Sequence, residues 1–236
     1  MKNFLTALTF SLLSISLIAQ VSNIEKQALL DFYIATNGEN WVNTWDINEP
    51  VSNWYGITVE NDQVTGISLL FNNIEGILPD SIGNLENLRV LELSFNRLSG
   101  ELPPEIGQLT NLEFLIINGN NLNGSIPASI GNLNALKELH LSSNGFTGVV
   151  PRTFGNLSNL EILNLFDNEL SGTLPVGLFS STKFKKLVIA KNGIQETEAY
   201  SHLLHFKRDT DLNLNNTTVT PSAKTIIATE TTDDEN

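Results

Sequence analysis

Apolar residues recur at fixed places in a 24-residue unit that begins at Val64, Leu88, Leu112, Leu136, Leu160 and Phe184. The second unit shows the rule: Leu88, Leu91, Leu93, Asn96, Leu98, Gly100, Leu102, Pro103, Ile106, Gly107 and Leu109, after which Leu112 starts it again. Five complete copies and a truncated sixth run without insertion to about Ile194. The Leu-x-Leu segment has a period of two, so Leu91 and Leu93 turn inward and Glu92 outward, as do Leu139, Leu141 and His140. A strand this short buries its apolar face by stacking on its own copies, which predicts a parallel sheet in an elongated array.

The polar and small columns fill in the rest of the coil. Asn72, Asn96, Asn120, Asn144, Asn168 and Asn192 stand where the chain leaves the sheet. A buried amide there can bond backbone groups of its own and neighbouring turns that would otherwise be unsatisfied. Gly76, Gly100, Gly124, Gly148 and Gly172 mark positions that disfavour a Cβ, and Pro79, Pro103, Pro127, Pro151 and Pro175 fix φ on the return leg. The period and the Leu-x-x-Leu-x-Leu-x-x-Asn-x-Leu spacing are the signature of a leucine-rich-repeat solenoid. The expected fold is therefore an α/β solenoid with a parallel concave sheet and a helical cap at each end.

Residues 98–109 (Leu-Ser-Gly-Glu-Leu-Pro-Pro-Glu-Ile-Gly-Gln-Leu) and 122–133 (Leu-Asn-Gly-Ser-Ile-Pro-Ala-Ser-Ile-Gly-Asn-Leu) resemble the plant-type leucine-rich repeat. That subclass builds plant receptor-kinase ectodomains and polygalacturonase-inhibiting proteins and occurs in secreted bacterial proteins. The resemblance covers roughly residues 24–195 and implies a fold and a style of binding on the concave face, not a target. Many plant members carry cysteine pairs in their caps. This chain has no cysteine and is closer to the bacterial members.

Outside the array the pattern changes. Met1-Lys2-Asn3 followed by an apolar run from Phe4 to Ala19 predicts a signal peptide over residues 1–20, too short a run for a membrane span. Residues 21–62 are expected to cap the first repeat. Within them 22–38 reads as a helix, with Ser22 and Glu25 at capping-box spacing, Ile24, Ala28 and Phe32 recurring on one face, and Gly38 at its end. Trp41, Trp45, Trp54 and Tyr55 either seal the open core or form a sugar-stacking platform. Ile57–Val59 and Gln63–Ser68 read as a hairpin leading into the repeats, which occupy 63–195. Residues 196–215 are read as a C-terminal cap containing a helix, and 216–236 as a disordered acidic tail.

Charge narrows the partners. Thirteen Lys and Arg against 26 Asp and Glu give a formal charge of −13, which repels nucleic acid and anionic lipid. Without cysteine there is no thiol chemistry or thiolate metal site, and no cofactor is expected. His202 and His205 near Glu198 have helical spacing for two metal ligands, but a capping helix explains them more simply, and no metal site is assigned. Asn123 and Asn156 begin glycosylation sequons, as do Asn215 and Asn216, relevant only to a eukaryotic secretory route.

Candidate chemistry lies on the outward positions of the sheet, a face about 24 Å wide at strand spacing. Phe71, Val90, Phe95, Phe114 and Ile116 place apolar groups on adjacent positions, with Phe114 and Ile116 expected to stand in water. Phe71 and Phe95 could instead pack along their own ladder. Glu92, Glu138, His140, Ile162, Asn164 and Phe166 complete the expected ligand-binding set, and the seventh column, including Ser94 and Ser142, is also taken as outward. His140 beside Ser142 and Glu138 has the residue types of a hydrolytic triad, but a regular solenoid face offers no wall to exclude water. The sequence thus predicts no catalytic residue. It predicts a secreted or cell-surface, monomeric, non-enzymatic module that binds an extracellular protein, peptide or glycan. An inhibitor of a cell-wall-degrading enzyme is the alternative that the resemblance suggests.

Overall fold

The computed structural model describes residues 20–195. The predicted signal peptide up to residue 19, the C-terminal cap and tail, and His202 and His205 lie outside the described residues.

The chain enters through helix α1 (Asn23–Ala35). Ser22 caps it, its Oγ accepting from the amide of Glu25 at 3.2 Å, as the capping-box spacing predicts. The carboxylate of Glu25 does not turn back to the cap amide. It takes a hydrogen bond from Ser22 Oγ and another from the buried amide of Val64, binding the helix to the first repeat. This explains a departure from expectation: Glu25, Ala28, Leu29 and Phe32 form the buried face, while Ile24 is exposed. The helix stops at Ala35 rather than at Gly38, because Asn37 adopts the left-handed conformation (φ 54°) and turns the chain away.

Behind the helix the three tryptophans are buried. Their rings pack with Phe32 and Tyr33, and Trp45 stacks on Trp54 at 4.8 Å. Each indole N–H donates to a backbone carbonyl: Trp41 to Thr36, Trp45 to Tyr55 and Trp54 to Glu49. Their ring faces are therefore unavailable to a sugar, and the stacking-platform alternative fails for these residues. Strands β1 (Ile57–Glu60) and β2 (Gln63–Ser68) pair antiparallel around Asn61 and Asp62, both at positive φ, which is the two-residue turn that suits a twisted hairpin.

Beyond the hairpin each coil contributes a strand to each of two sheets. In chain order they are β3 (Glu75–Gly76), β4 (Val90–Glu92), β5 (Arg97–Glu101), β6 (Phe114–Ile116) and β7 (Asn121–Ser125), followed by β8 (Glu138–His140), β9 (Gly145–Val149), β10 (Ile162–Asn164), β11 (Glu169–Thr173), β12 (Lys186–Val188) and β13 (Gly193–Gln195). The first sheet runs β1-β2-β4-β6-β8-β10-β12 and is parallel after the hairpin; its register aligns Val90, Phe114, Glu138, Ile162 and Lys186. The second runs β13-β11-β9-β7-β5-β3 on another side of the coil and is not anticipated by the sequence reading. Its glycine column sits at positive φ. At Gly100 (φ +75°) a Cβ would stand 3.1 Å from Cγ2 of Ile77, the side chain leaning across from the preceding repeat. The return legs are short 3₁₀ turns, such as Pro104–Gln108 and Ala128–Asn132, each preceded by one of the column prolines.

The core is continuous from Val21 to Ile189. Along it runs the asparagine ladder. Asn96 donates to the carbonyls of Leu93, Ser94 and Leu69, the last in the preceding repeat, and its Oδ1 accepts from the amides of Asn72 and Ile74. Asn120, Asn144, Asn168 and Asn192 repeat this bonding, with one amide on each Oδ1. Asn72 has no preceding repeat. Asn43 takes that place, its amide donating to Asn72 Oδ1 at 2.7 Å and its carbonyl accepting from Asn72 Nδ2.

Candidate binding face

The leucine at the centre of each short strand of the first sheet is buried, so the residues on either side of it project outward at every repeat. The outward side chains sit a strand spacing apart, about 4.8 Å, and neighbours cover one another's flanks. Val90, Glu92, Phe114, Ile116, Glu138, His140, Ile162 and Asn164 are consequently half-buried. Phe114 and Ile116 do not stand free in water as expected, and Lys137 Nζ lies 5.9 Å from the Phe114 ring centroid. Phe166 is likewise half-buried, with Lys191 Nζ at 5.1 Å. The seventh column is less open than expected: Ser94, Ser142 and Ala190 are buried, whereas Leu70 is exposed.

The exposed apolar groups lie at the eighth column, where the chain leaves the strand. Phe71 is 63% exposed and Phe95 51% exposed. Their rings stack with centroids 4.6 Å apart and planes within 8°. The two rings thus pack on each other and still remain open to solvent. Their backbones have φ of 51° and 55°, in the left-handed region where a bulky residue is uncommon. The whole column shares this conformation, through Gly119, Ser143, Asp167 and Lys191. Gly119 makes room for the stack, since a Cβ there would stand 2.8 Å from Cδ1 of Phe95. Val42, 69% exposed, belongs to the entry segment and donates its amide to the carbonyl of Asn72, next to Phe71 in the chain.

The polar residues further along are bonded to one another. Nε2 of His140 lies 2.9 Å from Glu138 Oε2. Ser142 Oγ donates to Asn118 Oδ1 at 2.8 Å and accepts from Asn164 Nδ2 at 3.3 Å, and Ser143 Oγ donates to Asp167. The triad geometry is not formed: the serine hydroxyl is turned to an amide and the histidine to the carboxylate on its own strand. Among the described residues no cluster of three or more His, Cys, Asp or Glu is placed to hold a metal ion.

A hollow of about 340 Å³ opens at the other end of the face. Gly66, Val90 and Phe114 line it, and the Thr58 side chain leans in beside Gly66, 3.1 Å from where a Cβ there would stand. Arg89 pairs with Glu60 on its rim, and Lys137 pairs with Glu113. These belong to a column that the sequence reading passed over. Arg89, Glu113, Lys137, Glu161 and Lys185 alternate in sign at the repeat period, and Glu161 pairs with Lys185. The 24-residue spacing alone would have found it. Thr65 also lines the hollow, 8% exposed, with no hydrogen-bond partner for its hydroxyl.

The model of the "Leucine-rich repeat region" family matches residues 69–208. The BIR2 ectodomain from Arabidopsis thaliana is similar at 28% identity over 78% of this chain and 99% of its own, with a TM-score of 0.67. The Arabidopsis receptor kinase HAESA ectodomain, solved in complex with an IDA peptide hormone, is 31% identical over 73% of this chain and 29% of its own, with a TM-score of 0.61. A plant ice-binding protein, 24% identical over 77% of this chain and 67% of its own, shares the fold at a TM-score of 0.58.

Proposed function

The chain belongs to the leucine-rich-repeat family, and we propose that it is a secreted, non-catalytic module that binds an extracellular protein or peptide on the concave face. The observation that carries the reading is the open edge of Leu70, Phe71 and Phe95, with Phe71 and Phe95 held in an uncommon backbone conformation and stacked in water. Contiguous exposed aromatic area of this kind marks contact surfaces. Similarity to an ectodomain that holds a peptide hormone supports a peptide or protein over a small metabolite.

Two further observations weigh against the alternatives. A hydrolase would need His140 to face Ser142, and both are bonded elsewhere. A glycan site built on the tryptophans would need open ring faces, and these are buried. Inhibition of a cell-wall-degrading enzyme remains a special case of protein binding, with no residue here that favours it. No helix among the described residues is long and apolar enough to cross a membrane, and the leader expected over residues 1–20 supports an exported product.

The test is capture. The exported protein is immobilised, exposed to the surrounding extracellular fraction, and compared with a variant carrying Phe71→Ser and Phe95→Ser. A specific partner that the double variant fails to retain supports the reading. Equal retention by both forms places the contact on another surface and sinks it.

A further inference from the structure

Resting on the concave-face reading, we infer that the partner presents a basic side chain, arginine or lysine in an extended segment, whose charged head is taken by Glu92 and whose aliphatic stem lies over the hollow at Gly66. Two carboxylates of this face, Glu92 and Asp167, have a serine hydroxyl but no basic partner among the described residues, and of the two it is Glu92 that stands on β4, whose Val90 lines the hollow. Glu60, Glu113 and Glu138 each have a basic partner in Arg89, Lys137 and His140. Among the described residues Glu92 has only the hydroxyl of Ser68, which donates to Oε2 at 2.6 Å, and no basic side chain within ion-pair distance.

What surrounds Glu92 is apolar. Val90 stands on the same strand face, Ile116 is its register partner on β6, and Phe114 is the partner of Val90. A half-buried carboxylate among such groups favours a cation that carries its own apolar stem, because the stem replaces water over Val90 while the head supplies the missing charge. Room for the stem exists on the side of β2, where Gly66 and Ser68 are the register partners of Val90 and Glu92. The hollow there, about 340 Å³, has room for one large side chain between Thr58, Val90 and Phe114, with the Arg89–Glu60 pair on its rim. The formal charge of −13 draws a basic segment toward the protein before contact.

The occupant is a protein side chain rather than a free amine because the open aromatic edge lies alongside. Leu70, Phe71 and Phe95 lie beyond the C-terminal ends of β2 and β4, next to Ser68 and Glu92 in the chain. A neighbouring apolar residue of the same extended segment reaches that edge, and a lone amine has nothing to place there.

The experiment titrates isotope-labelled protein, produced from the full chain, with N-acetyl-Val-Arg-Val amide and with the same peptide carrying citrulline, which keeps the shape and removes the charge. The arginine peptide is expected to move the amide signals of Gly66, Val90 and Glu92 saturably and to bind at least about tenfold more tightly than the citrulline peptide. In Glu92→Gln that preference should fall to near unity with the melting temperature unchanged, while Asp167→Asn should preserve it. Absence of a saturable shift, equal affinity for the two peptides, or a preference that survives Glu92→Gln overturns the inference. None of these touches the concave-face reading, which stands or falls on capture through Phe71 and Phe95.

Discussion

The two ends of the concave face are built on the same leucines and the same register, yet they differ in how far their outward groups are satisfied. Over the fourth and fifth repeats, Glu138 meets His140, and Ser142 meets Asn118 and Asn164. Over the first two, Phe71 and Phe95 stack on each other while more than half exposed, and Glu92 has no basic partner among the described residues. The aromatic rings of later repeats are covered as well, Phe114 by Lys137 and Phe166 by Lys191. A surface whose groups are already paired gives up existing interactions when it binds, whereas an unpaired group only loses water. The comparison teaches that residue type alone, a histidine beside a serine and a glutamate, is a poorer guide to a site than what each group lacks.

The sharpest way to break this comparison is at the aromatic edge. Replacing both Phe71 and Phe95 with Ser should weaken partner binding by about 2 kcal/mol or more, roughly thirtyfold, and change stability by less than about 1 kcal/mol, since only the ring–ring contact is lost from the fold. Surface plasmon resonance against the captured partner and a thermal melt check the two halves. Lost stability with unchanged binding would make the stack a structural element.

The scaffold beneath both ends is expected to respond next. Asn96→Ala should cost about 1–3 kcal/mol, because buried carbonyls and amides lose their partner. Asn144→Ala should cost less, since Asn144 is half-buried and its Oδ1 serves one amide where that of Asn96 serves two. Denaturant melts of the pair measure the difference, and the reverse order would contradict the bonding described.

Gly119→Ala sharpens the comparison at the boundary between the two ends. The added methyl meets the Phe95 ring in a left-handed residue, so a loss of about 1–2 kcal/mol is expected, together with a changed environment for both rings. Aromatic proton shifts of Phe71 and Phe95 report it, and unchanged shifts would show that Gly119 does not support the stack. The smallest effect belongs to the paired end. Glu138→Ala should alter stability by less than about 1 kcal/mol and affect binding only in a salt-dependent way. A large, salt-independent loss of binding would move the site to the fourth repeat.

Much of this was legible in the sequence, and the rest had identifiable physical reasons for staying hidden. The periods of two and of 24 residues gave the inward leucines, the strand register and the asparagine ladder, since each is a local rule repeated without interruption. The capping box at Ser22 and Glu25 was read correctly as a helix start. The buried place of Glu25 was not, because its carboxylate serves the amide of Val64, 39 positions away. The aromatic edge was among the candidates by column, but the greater exposure of Phe71 and Phe95 over Phe114 and Ile116 depends on the left-handed turn at the eighth position and on Lys137 lying over Phe114.

By itself, then, the sequence determined the coil: what points inward, how the copies stack, and where the asparagines serve the backbone. Those features follow from periodicity, and periodicity is a property of the chain alone. The tertiary structure decided the second sheet, the side of α1 that is buried, and which outward groups remain unpaired. Each of these turns on contacts between repeats or between the entry segment and the first repeat, where the outcome depends on which neighbour a carboxylate, an amide or a ring meets in space.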